Sequence, residues 1–121
     1  MASFSVFSLG GVLLVSIEEE IDDSSVADLL DLIAATVNRQ GLHGVIVDLQ
    51  ALEVMDSYLA SHLQQLARTL RLQHADMVVA GLSVPVVMAL TDFGIRLPEL
   101  DFALDVEQAL VRLRERSRAD P

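Results

Sequence analysis

The stretch "GVIVDL", residues 44–49, carries the reading of the fold. Its apolar residues follow one another without alternation, which suits a strand covered on both faces, as in a parallel sheet. Upstream, apolar side chains recur at Val26, Leu29, Leu30, Ile33 and Val37, the spacing of one helical face. Asp22, Asp23 or Ser24 can cap that helix and Gly41 can end it. Downstream the same unit returns. Leu59, Leu63, Leu66 and Leu70 mark a second helix, and "MVVAGL", residues 77–82, a second buried strand. Alternation of this kind predicts parallel strands joined by right-handed helical crossovers.

The two ends of the chain complete the pattern. "FSVFSL" (4–9) and "VLLVSI" (12–17) are β-prone runs separated by Gly10-Gly11. Two glycines supply the positive φ values of a type I′ turn, so an antiparallel hairpin is expected there. Ser83 with Pro85 opens a third helix that Gly94 can close. "FAL" (102–104) reads as a short last strand, and Asp105 with Gln108 as the capping pair of a final helix carrying Ala109, Leu110 and Leu113. The fold class is α/β: one domain over residues 1–121, with a mixed, mostly parallel sheet of four to five strands, an N-terminal hairpin and about four helices. Residues 4–116 are its expected ordered part, and "SRADP" (117–121) a frayed polar tail.

Composition narrows the function. A chain of 121 residues that is 52% hydrophobic can bury a real core as one domain. Cysteine is absent, which excludes disulfides and thiolate metal sites. The net charge of −10, from 18 acidic and 8 basic residues, repels phosphate backbones and anionic lipid head groups. Nucleic acid and membrane surfaces are therefore not the expected partners. Arg112, Arg114, Arg116 and Arg118 share their helix with Glu107 and Glu115 and read as a solvated helical face. No stretch approaches the roughly 18 uninterrupted apolar residues of a membrane span. The start also lacks the basic region of a signal peptide, so a soluble cytoplasmic domain is the expectation.

Catalytic patterns are thin. His43, His62 and His74 fall in different elements without ligand-like spacing, and His62, five residues after Ser57, is placed on a different face of that helix. "MDSYL" (55–59) lacks the glycines of a nucleophile elbow, "SLGG" (8–11) lacks the pattern of a phosphate loop, and the chain has no lysine. No catalytic residue, metal or cofactor is expected. Two readings of the remaining polar residues stay open. In one, Asp48 bonds amides of its own loop and Asp56 or Ser57 caps the following helix, a Ser cap being worth about 1 kcal/mol. In the other, Ser57 is an exposed hydroxyl at the positive end of the helix dipole. A phosphate there would add about −1.5 to −2 charges without melting the helix. Tyr58 beside it is either a partly exposed aromatic or an anchor for a partner.

Taken together, "LLVSI" (13–17), "GVIVDL" (44–49), "MDSYLA" (55–60) and "MVVAGL" (77–82) resemble STAS domains, the anti-sigma-factor-antagonist family. The resemblance runs from about residue 4 to 116 and is nearest to the single-domain scaffold of bacterial stressosomes. The simpler antagonists commonly read D-S-S-G, whereas Tyr58 and Leu59 follow the serine here; the sequence opens on the first strand, so no sensory domain is expected on this chain. The resemblance implies a non-enzymatic phosphoprotein of a partner-switching stress response, with Ser57 as the phosphate acceptor. Asp56 is its motif neighbour, Asp48 matches the strand-end aspartate, and Tyr58 completes the partner-binding surface. It implies as partners a serine kinase of the GHKL ATPase type, a STAS co-antagonist with a sensory N-terminal domain and a PP2C-type phosphatase. A homodimer and large hetero-oligomers are implied as well. The alternatives are a simple antagonist that binds an anti-sigma kinase, and a small-ligand-binding α/β module.

Overall fold

Gly10 and Gly11 take φ values of 55° and 83°, and between them the chain folds back as the glycine pair demands. Strands β1 (Phe4–Leu9) and β2 (Val12–Ile17) pair antiparallel in unbroken register, from Leu9 opposite Val12 to Phe4 opposite Ile17. In the computed structural model, which describes residues 4–18, 22–94 and 100–119, three more strands follow: β3 (Gly44–Asp48), β4 (Asp76–Ala80) and β5 (Asp101–Ala103). They extend the sheet in parallel in the order β1-β2-β3-β4-β5. The connecting helices are α1 (Asp23–Gln40), α2 (Ser57–Leu72) and α3 (Val84–Asp92), and α4 (Val106–Ala119) follows the last strand. The chain is thus a single α/β domain with a hairpin start, a mostly parallel sheet and four helices.

Period two along the strands divides the core. Leu13, Val15 and Ile17 with Val45, Val47, Met77 and Val79 face α1, α2 and α3, where Ile33, Leu63, Leu70 and Leu90 are fully covered. Val12, Ile46, Val78 and Ala80 face α4, which seats Ala109 and Leu113 against them. β3 is buried on both faces, as its unbroken apolar run requires.

The helix ends follow local chemistry. Asp22 accepts a hydrogen bond from the Ser25 amide, and Gly41 closes α1 in the left-handed region with its N–H on the Val37 carbonyl. The hydrogen bond from the Ser25 amide, with another from the Ser24 hydroxyl, holds the Asp22 carboxyl below the usual carboxylate range. A lowered carboxylate stabilises the folded state above its unfolded pKa, and that contribution is lost as acid protonates it. Ser83 caps α3 ahead of Pro85, and Gly94 follows it at φ 75°.

Three details differ from the sequence expectation. The last strand is Asp101–Ala103, one residue earlier, because the Gln108 side chain takes the Leu104 amide (2.8 Å) and draws Leu104 into the turn. Asp105 caps the Gln108 amide in return. Arg112 and Arg116 are not a free solvated face: four residues apart on α4, both pair with Asp101 on β5. The tail is helical through Ala119, while Asp120 and Pro121 lie outside the described residues.

Candidate functional site at the start of helix α2

Parallel β-α units bring the carboxyl ends of the strands and the amino ends of the next helices to one edge of the sheet. Asp48 ends β3 on that edge, and eight residues later Asp56-Ser57 begins α2. Between them Leu49 donates its N–H to the Ala80 carbonyl (2.9 Å), which fixes the loop to the end of β4.

Asp48 serves this loop. Its half-buried carboxylate accepts the Gln50 amide at 3.0 Å and makes no hydrogen bond to Ser57. Gly81 is built around it. A Cβ on Gly81 would lie 3.1 Å from Asp48 Oδ1 and 3.0 Å from Gln50 Cβ, at a φ of +76° that L side chains rarely adopt. The backbone just past the end of β4 therefore passes close against the carboxylate. Ser16, Ile17, Asp48 and Gln50 line a shallow cleft of about 400 Å³ there.

The choice left open at the helix start resolves residue by residue. Asp56, not Ser57, is the cap: at φ −95° and ψ 165° its carboxylate accepts the Leu59 amide at 2.7 Å. Ser57 is the first helical residue, exposed, and its hydroxyl has no hydrogen-bond partner among the described residues. Replacing Asp56 with Ala is expected to lower stability by about 1 kcal/mol, as for other lost caps. Urea unfolding of the two proteins checks this, and an unchanged midpoint would contradict the capping role.

Tyr58 is half-buried against the core at Leu59's neighbouring position, and His62 lies one turn further on. The two rings stack with centroids 4.1 Å apart and planes at 27°. His62 Nδ1 sits 2.9 Å from the Tyr58 carbonyl, which only accepts, so that nitrogen carries the proton. His62 is five residues from Ser57 and off its face, but i, i+4 from Tyr58, and that spacing in the sequence is the signal for the pair. His62 also faces the groove between α1 and α2 beside Asp31, Gln65 and Leu66. Among the described residues no group of three or more His, Asp or Glu side chains could hold a metal ion. None of their helices is long and apolar enough to cross a membrane.

Fold and site define a small α/β module that presents an unengaged serine hydroxyl at the carboxyl edge of its sheet. The family model described as the STAS domain matches residues 4–109, and the chain belongs to that family. Among solved structures it is similar to a variant of Moorella thermoacetica RsbS carrying glutamate in place of a serine. Identity there is 25%, with a TM-score of 0.86 over 97% of this chain and 99% of that one. A chain from the structure titled as the molecular architecture of the stressosome, a signal integration and transduction hub, gives 23% identity. Its TM-score is 0.78, over 94% of this chain and 99% of that one. The anti-sigma factor antagonist SpoIIAA in its unphosphorylated form gives 20% and 0.75, over 93% of this chain and 96% of that one. No curated protein sequence matches significantly.

Proposed function

We propose that this chain is a non-enzymatic, phosphorylation-switched scaffold of a bacterial stress-signalling pathway, working in the cytoplasm. In this reading it holds a GHKL-type serine kinase (RsbT-like) until Ser57 is phosphorylated. It assembles as a homodimer and with a sensory STAS co-antagonist (RsbR-like), and a PP2C-type phosphatase resets it. Asp48, Asp56, Ser57 and Tyr58 form the surface beside the switch. The observation that carries this reading is the free hydroxyl of Ser57. It is exposed at the first residue of α2 while Asp56 alone does the capping, so the hydroxyl can be modified without loss of a structural hydrogen bond. The higher identity and TM-score to RsbS (25%, 0.86) than to SpoIIAA (20%, 0.75) support the scaffold over the simple antagonist.

The direct test incubates the protein with its cognate kinase and ATP and maps phosphate by mass spectrometry. Near-stoichiometric phosphate on Ser57 is expected, with none in a Ser57→Ala variant. Phosphate elsewhere with Ser57 untouched rejects the site.

A further inference from the structure

We propose that β1 is a pairing edge for a second copy of this chain, joined antiparallel across a twofold axis at Val6. This gives the homodimer of the preceding reading a surface. It does not depend on Ser57, so failure of the pairing and failure of the switch are separate results.

The two edges of the sheet are treated differently by the sequence. β5 is three residues long, and its Asp101 is engaged by Arg112 and Arg116, the short and charged edge that blocks sheet-to-sheet association. β1 has six residues in regular register, with no bulge, proline or charge. None of the chain's 18 acidic or 8 basic residues falls between Phe4 and Ile17. Two copies, each carrying −10, repel one another across acidic surfaces, and this uncharged hairpin is where they can approach without that repulsion. Phe7 and Leu9, on the face of β1 away from α1, are 51% and 50% exposed, so apolar surface is available beside the edge.

The backbone pattern fixes the axis. In a two-residue type I′ hairpin the closing pair, Leu9 and Val12, exchanges hydrogen bonds, and bonded pairs then alternate along the strands. In the observed register the other bonded pairs are Phe7 with Leu14 and Ser5 with Ser16. The N–H and C=O groups of Phe4, Val6 and Ser8 therefore point away from β2. Those three residues are symmetric about Val6. In an antiparallel pair centred there, Val6 meets the partner's Val6, and Phe4 meets the partner's Ser8. Every outward group of β1 then has a partner, and two five-stranded sheets become one.

The test exploits a chain without cysteine. Hydrogen-bonded antiparallel residues have Cα atoms about 5.5 Å apart, within disulfide reach. Val6→Cys is therefore expected to form a covalent dimer under mild oxidation, whereas Leu104→Cys, exposed beside the opposite edge, is not. Light scattering on the wild type is expected to give twice the 13.2 kDa chain mass. Ser8→Pro removes one outward N–H per copy without touching the β1–β2 bonds. It is expected to weaken association about ten- to hundredfold, with circular dichroism confirming the retained fold. A wild type that stays monomeric at high micromolar concentration overturns the proposal, even if it pairs with a different STAS chain. So does a dimer that Val6→Cys fails to cross-link and Ser8→Pro fails to weaken.

Discussion

Ser57→Asp is expected to weaken binding of the cognate serine kinase by about 2 kcal/mol or more, some thirtyfold, while Ser57→Ala binds nearly as the wild type does. The magnitude is that of a charge buried unpaired in an interface, at its lower end because a carboxylate carries less charge than a phosphate. Destabilisation is not the cause. Asp56 retains the Leu59 amide in either variant, and an acidic residue in the first helical turn is favourable to the dipole. The melting temperature of Ser57→Asp should match or exceed the wild-type value. Among the described residues, no basic side chain adjoins Ser57 along the start of α2. Asp48, Glu53 and Asp56 are the charged residues near this segment in sequence, there is no lysine, and Arg68 and Arg71 lie three and four turns down α2. The added charge is thus left for the partner to meet. Titration calorimetry or surface plasmon resonance with the three proteins decides the matter. Equal affinity for Ser57→Asp and wild type would remove the charge-switch mechanism.

The elements were legible because local and tertiary preferences agree. The Gly10-Gly11 turn, the unbroken run of β3 and the leucine face of α2 each follow from one local pattern that the sheet then reinforces. Two of the misplaced details come from side-chain hydrogen bonds. Gln108 reaches back four residues to the Leu104 amide, one residue beyond the cap its spacing suggests, and Arg112 and Arg116 reach Asp101 on the neighbouring strand, a pairing that helical periodicity does not encode. The site divides the same way. "DS" at a helix start narrowed the cap to two residues, but either side chain can accept an amide proton, and only the backbone angles of Asp56 select it. The proximity of Gly81 to Asp48 is a contact between the ends of two neighbouring strands and could not be seen from either segment alone.

The far face of the sheet yields the largest expected loss of stability, because Leu113 is the one large, fully buried side chain that α4 contributes to it. α4 covers β3 and β4 through Ala109 and Leu113, which meet Val12, Ile46, Val78 and Ala80 on the sheet. Leu113 is 1% exposed and rests on bare backbone: a Cβ placed on Gly44 would come within 2.9 Å of its Cδ1. Truncating it leaves a hole floored by glycine, and the buried neighbours on the sheet, Val12, Ile46, Val78 and Ala80, are short or β-branched side chains with little freedom to swing in and fill it. Large-to-small core changes cost about 2–5 kcal/mol, with the upper half reached where the site cannot collapse. Leu113→Ala is therefore expected to lose about 3–4 kcal/mol, and its melting temperature to fall by about 10 °C or more. Val111→Ala, two residues away on the exposed face of the same helix, should cost less than about 1 kcal/mol. Leu113→Met, which conserves volume, should stay under about 1.5 kcal/mol. The three are compared by urea unfolding at constant m. If Leu113→Ala and Val111→Ala shift the midpoint equally, the two-layer packing of α4 on the bare backbone of β3 is not what stabilises this face.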